Sequence, residues 1–317
     1  MFWPHWKYEE YVEKHVGWAD SVELFDPHSE RLDETFHNVR VTFYSMPDWM
    51  DWYDLTLDDS AFKIFHHRYR AEMKDYKAKL RRQFAPITGV SVGKALLKEL
   101  GSVHRVVKFR PNWNWGDPLN ADTEPRSVAH PENADWIHSM AKGERFYFHH
   151  KRRVGAGGGA NSIIRYTPEM WGPGGAAKSK APGDDPDEII FHELIHASRQ
   201  MRGVQENKKV DRGYDDVEEY LAVVISNIYM SEKGKTVLLG DHGDATLRHP
   251  EKFLDNVQHV DLTPRQLLLN FKTAQPDFFR DLANIGRGVA AFNPVRQFDE
   301  ELKAGRALAD VMLDAGR

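Results

Sequence analysis

The chain of 317 residues carries a formal net charge of -5 and no cysteine. That length allows about two domains of ordinary size, and the missing cysteine excludes thiolate zinc sites, iron–sulfur clusters, thiol nucleophiles and disulfides. The mild acidity excludes the global basic field of a nucleic-acid binder, and any metal site has to be built from the 16 histidines and the 48 acidic residues.

No nucleic-acid partner is therefore expected. Hydrophobic residues make up 41% of the chain and aromatic residues 12%, which describes a foldable sequence rather than a disordered one. The start, MFWPHWKYEEYVEKH, lacks the basic end and apolar run of a Sec-type signal peptide, and no apolar stretch is long enough for a membrane span.

Eight of the nine tryptophans lie between Trp3 and Trp136, which separates a Trp-rich region, residues 1–130, from residues 131–317. The first region has α/β character. It predicts a strand over Asn38 to Tyr44, an amphipathic helix from Asp59 to Phe84, a break from Pro86 to Gly93, and a short helix over Lys94 to Leu100 that stops at Gly101. A strand is expected at Val103 to Phe109, followed by a linker or long surface loop from Arg110 to Pro131, rich in Pro, Asn, Asp and Gly. Glu144 to Lys151 and Asn161 to Tyr166 read as two strands of a hairpin around the glycine-rich turn Val154 to Ala160. Asp185, Pro186 and Glu188 mark a capped helix start, and Gly203 marks the stop after Met201. A second helix is expected from Asp216 to Ser231. From Pro264 onward the chain reads as amphipathic helices broken at Gly286 and at Asn293-Pro294.

The capped helix contains His192-Glu193-Leu194-Ile195-His196, an HExxH motif. At about 100° per residue, His192 and His196 stack on one face and offer two imidazole nitrogens to one ion. Glu193 stands beside that face, placed to act as general base toward a water at the ion. Such a pentapeptide arises by accident about once in twenty chains of this composition, so its setting matters. The apolar neighbours Ile189, Ile190, Leu194 and Ile195 place it on a buried helix. The second helix then opens with Glu218 and Glu219, two acids at the head of an otherwise apolar segment, where a cation is the commonest reason to bury a carboxylate. Glu219 is the preferred third ligand because Ala222 follows one turn on, on the same face, and lets the helices approach closely. Glu218 then supports the site from behind or faces solvent. Two His and one Glu leave an open position, as catalytic zinc requires.

HELIHASRQ followed by Gly203 and YDDVEEYLAVVISNIY resembles the glutamate-ligand zincin metallopeptidases, in particular the NleD-like effector metallopeptidases that bacterial pathogens inject into host cells. The resemblance covers roughly Glu144 to Arg296, including NSIIRYTPEMW, SEKGKTVLLGDHGD and AFNPVRQF. HELIH is also shared with clostridial neurotoxin light chains, where the likeness ends with the pentapeptide. The resemblance implies an α+β zincin-like metallopeptidase domain, with a small sheet packed on the HExxH helix and a mainly helical C-terminal part. It implies Zn2+ held by His192, His196 and Glu219, with Glu193 as base, cleaving a protein substrate bound in extended form. Ser162 to Tyr166 is the strand expected to pair with that substrate. An effector is made in the bacterial cytoplasm and exported into a target cell, so secretion machinery or an immunity protein are expected partners. Zincins also place an electrophile opposite the metal for the oxyanion, and Tyr214, Tyr229 and His242 are candidates; Tyr229, in an apolar helix, reads more readily as core, Tyr214, in a loop, is expected at the surface, and His242 reads equally as a turn residue, with Tyr229 and His242 carried forward. Two rival readings stand beside this one: a housekeeping intracellular metallopeptidase, and a non-catalytic zincin-derived binding module. The run Gly155 to Ala160 fits GxGxxA in form, but a strand follows it where a nucleotide fingerprint needs a helix.

Overall fold

A computed structural model describes residues 30–41, 59–110, 121–125, 136–138, 145–149, 154–155, 157–171, 175, 181–210, 213–242, 245–255 and 262–305. The chain is α+β and divides into two compact units that interleave along the sequence. The first takes residues 1–85, 103–178 and 197–204, and the second takes residues 86–102, 179–196 and 205–317. Among the described residues, no helix is long and apolar enough to cross a membrane.

The first unit is built on a five-stranded sheet. Its strands are β1 (Glu30–Arg31), β2 (Val39–Val41), β3 (Val107–Arg110), β4 (Asp122–Pro125) and β8 (Ser162–Arg165), in the order β1-β2-β3-β8-β4. β2, β3 and β8 run parallel, and β1 and β4 close the two sides antiparallel. β3 and β8 are buried at every position, as parallel central strands are. A separate sheet joins β5 (Trp136–His138), β6 (Arg145–His149) and β7 (Val154–Gly155). Helix α1 (Asp59–Gly89) presents Tyr76, Leu80 and Phe84 on one face, at i, i+4 and i+8, and all three are buried, while the short helix α3 (Pro168–Trp171) follows β8. Phe84 meets Phe109 of β3 edge-on, and the Tyr76 hydroxyl donates to the Tyr166 carbonyl at 2.9 Å.

Several expectations change here. The boundary expected near residue 130 falls between strands of one sheet, since β4 precedes it and β8 follows it. The expected linker contains β4, whose sequence DTEP has no apolar alternation to announce it; pairing with β8 makes it a strand, and Gln200 Nε2 donates to the Thr123 carbonyl at 3.2 Å. The expected hairpin does not form, because β6 and β8 lie in different sheets. β8 has a partner on each side, so Ser162 to Tyr166 is not an open edge for a peptide. Helix α1 also runs through Pro86 to Gly89, at the cost of one backbone hydrogen bond in its last turn.

The glycine-rich run has a definite task. Helix α4 (Pro186–Arg202) ends at Gly203, whose φ is +72°. Gly157 N–H donates to the Gly203 carbonyl at 2.9 Å, and Ala160 N–H donates to the Gln200 carbonyl at 3.0 Å, so the run satisfies carbonyls at the helix end. A Cβ on Gly203 would stand 2.4 Å from the Gly159 nitrogen. Gly203→Ala combines that clash with a left-handed backbone and is expected to lower stability by about 2 kcal/mol, read by urea unfolding.

The second unit is helical: α2 (Ser91–Gly101), most of α4, α5 (Val217–Glu232), a 3-10 turn (Pro250–Asp255), α6 (Pro264–Ala274), α7 (Pro276–Ala283) and α8 (Pro294–Lys303). The breaks expected at Gly286 and Asn293-Pro294 fall between α7 and α8. α5 is apolar on every side and buried from Val217 to Ser231 apart from Glu219, so it forms the centre of this unit. Val90 provides no side-chain cap for α2; Glu232 at the end of α5 fills that role by accepting from Ser91 and Val92 N–H at 2.6 and 2.8 Å.

Candidate metal centre

The site is assembled from α4 and α5 within the second unit. Pro186 opens α4, with Asp187 and Glu188 in the first turn and Arg199 and Arg202 in the last, a distribution that suits the helix dipole. Glu188 was expected to close a capping box, but its carboxylate is taken by Lys233 and Lys235, both at 2.8 Å. Asp216 caps α5 by accepting from Glu218 and Glu219 N–H at 2.9 and 3.2 Å, and Asn207 Nδ2 donates to its other oxygen at 2.8 Å. This cap fixes the first turn of α5, and with it the two candidate acids. They part at once: Glu218 turns inward and accepts from Glu206 N–H at 2.6 Å, which anchors the connection from α4. It does not face solvent, being 3% exposed.

Glu219 points to the histidines. The His192 and His196 Nε2 atoms are 3.1 Å apart, and Glu219 Oε2 lies 3.3 Å from the first and 3.4 Å from the second. Two ligands with bonds of 2.0–2.1 Å to one tetrahedral ion stand about 3.3 Å apart, so all three edges fit a shared ion. His192, His196 and Glu219 thus form a cluster able to hold a metal ion, with their ligand atoms within 4.8 Å of one another. Their side chains keep 14, 12 and 21% exposure, enough for water to reach them. Glu193 is buried in the wall of the same helix.

Burial pulls the His196 imidazole down, but the Glu219 carboxylate, helped by Glu193 and Glu218, more than reverses this and raises it from 6.5 to about 9. Burial would raise Glu219, yet His196 and His192 hold its carboxyl well below the usual carboxylate range. A proton on His196 pairs with the Glu219 carboxylate and competes with any metal ion for the same nitrogen. Because the folded value is raised, its stabilisation of the metal-free protein is complete below pH 6.5 and lost as pH rises through about 9. Urea unfolding of chelator-treated protein is expected to show that loss between pH 6.5 and 9, and a divalent metal ion that binds the cluster at pH 7 is expected to release a proton.

The three candidate electrophiles separate clearly. His242 reaches the site: its Nε2 is 3.1 Å from Glu219 Oε2, and its ring stacks on His192 at 5.7 Å. Tyr229 does not. Its hydroxyl donates to Asp187 at 2.5 Å and its ring stacks on Phe191 at 4.3 Å; ten residues along α5 from Glu219 is about 15 Å of helix. Tyr229 is therefore a core residue of the charged cluster at the head of α4. Tyr214, expected at the surface, is buried and donates to the Gly240 carbonyl at 2.8 Å.

No protein-family model, curated protein or solved structure matches the chain. Sequence reasoning missed the cluster of Asp185, Asp187 and Glu188 with Lys233, Lys235 and Tyr229. An acidic block at the head of one buried helix and two lysines at the tail of the next were the signal for it.

Proposed function

We propose that the protein is a zinc-dependent endopeptidase of the zincin type, with His192, His196 and Glu219 as ligands. The observation that carries this reading is the convergence of those three side chains at edges of 3.1–3.4 Å beside a buried Glu193. Two imidazoles, one carboxylate and no thiolate suit zinc with a position left open. When bound, the ion supplies Lewis-acid chemistry toward a carbonyl and lowers the pKa of water.

The chain's own residues do the rest. Glu193, next to His192 on α4, takes the proton from the attacking water and returns it to the leaving amine. Glu219 and the two histidines hold the metal position rigidly, because α5 is buried along nearly its whole length. His242, at 41% exposure with its Nε2 3.1 Å from Glu219 Oε2, is the candidate electrophile that reaches the site, and its contact there is with the Glu219 carboxylate. The resemblance of the HELIH and YDDVEE segments to injected effector metallopeptidases extends the proposal to a protein of a target cell as substrate, bound extended.

The test is proteolysis of a peptide library by the full chain, before and after chelation and with zinc restored. Cleavage lost on chelation and regained with zinc is the expected result. Cleavage that survives complete metal removal, or none by the zinc-loaded protein across a broad library, would contradict the proposal and favour a non-catalytic module.

A further inference from the structure

Asn227 lies in the middle of α5, is fully buried, and touches none of the three ligand side chains' nitrogen or oxygen atoms among its hydrogen bonds. Its amide grips the backbone of Leu239 at both ends: Nδ2 donates to the Leu239 carbonyl at 2.8 Å, and Oδ1 accepts from Leu239 N–H at 2.8 Å. A side chain that pairs with both backbone groups of one residue imitates a β-ladder and fixes the position and direction of the segment that follows. That segment carries His242. Leu239 bridges to Thr246, and Gly240 N–H donates to the Ala245 carbonyl at 2.7 Å, which holds both arms of the loop.

Two further bonds tie the loop to the approach to α5. Tyr214 Oη donates to the Gly240 carbonyl at 2.8 Å, and His242 N–H donates to the Gly213 carbonyl at 2.6 Å. The fit is close enough that a Cβ on Gly213, at φ +98°, would meet Asp241 Cβ at 2.5 Å. The same helix that presents Glu219 from its first turn therefore also aims, two turns later, the loop that sets His242 Nε2 at 3.1 Å from Glu219 Oε2.

We infer that Asn227 is a positioning residue of the metal centre: through Leu239 and the loop it holds, it sets His242 against the ligand Glu219 and fixes the direction of that carboxylate. The inference rests on the metal centre proposed above, and deepens it by giving Glu219 an outer partner and that partner a buried clamp. Asn227 acts through His242 alone, so the two belong to one unit of function. Tyr214 supports the same loop from the opposite side.

The test measures zinc affinity by chelator competition on the full chain, for wild type, His242→Ala, Asn227→Asp, the double variant and Tyr214→Phe, with cooperative thermal unfolding of each as the check of folding. Asn227→Asp keeps the size and the acceptor and loses the donor to the Leu239 carbonyl. His242→Ala and Asn227→Asp are each expected to weaken zinc binding about 10- to 100-fold, with the double variant no weaker than the worse single one. If Asn227→Asp does not fold, Tyr214→Phe carries the test, with a weakening of several-fold that vanishes in the His242→Ala background. Wild-type affinity in the folded Asn227→Asp or Tyr214→Phe protein, or losses that multiply with that of His242→Ala, would overturn the inference. A wild-type protein that binds no zinc would instead overturn the metal centre itself, which keeps the two failures apart.

Discussion

Glu193→Gln is expected to retain zinc within a few-fold of wild type and to lower the hydrolysis rate about 10²- to 10⁴-fold, the usual contribution of a general base. Glutamine keeps the shape and loses the proton acceptor, and Glu193 is outside the ligand set, so the substitution separates chemistry from metal binding. The position is buried at 8% exposure in the wall of α4, where an amide is tolerated more readily than a smaller residue that would open a void. Rate and zinc content measured on the same preparations decide the matter. A Glu193→Gln protein that cleaves at the wild-type rate would assign the base elsewhere; one that loses its zinc would make Glu193 part of the support for the ligands.

The second large effect concerns stability. Glu188 has a fully buried side chain, and its two oxygens accept from Lys233 and Lys235, with Lys235 also paired to Asp185 and Lys233 to Asp187. Removing one member of a buried ionic group leaves the opposite charges uncompensated and costs about 3–5 kcal/mol. The two ammonium groups keep Asp185 and Asp187 and are 20 and 32% exposed, so Glu188→Ala is expected near the low end, about 3 kcal/mol by urea unfolding. A cost under about 1 kcal/mol would class the cluster with ordinary surface pairs. The cluster joins the head of α4 to the tail of α5, the two helices whose other parts hold the ligands, so Glu188→Ala is also expected to weaken zinc binding.

The helices and the cluster able to hold a metal ion were legible because their signals are local. HExxH at 3.6 residues per turn, the acidic pair opening an apolar helix, and the Pro and Gly punctuation of α4 to α8 all lie within one or two turns of the residues they govern. Glu219 was legible over Glu218 only as a preference, since Glu218 accepts from Glu206 N–H in a loop whose path the sequence does not state. The sheet was less legible. β4 is a strand through pairing with β8, and β6 and β8, separated in sequence by the two-residue β7, join different sheets, since partner choice depends on residues far apart in the chain. The glycine run read as a turn of a hairpin because its actual role, closing the end of α4, requires knowing that Gly203 lies against Gly159. The apolar setting of Tyr229 suggested a core position, but nothing local reveals its bond to Asp187.

The central claim is that His192, His196 and Glu219 hold one zinc ion. Elemental analysis of the full chain after zinc loading and exhaustive dialysis tests it most directly, with wild type beside His196→Ala and Glu219→Gln. One zinc per chain is expected in the wild type, with loss of most of it in both variants while each remains folded. Zinc retained at wild-type level in both variants, or none in the wild type, would contradict it.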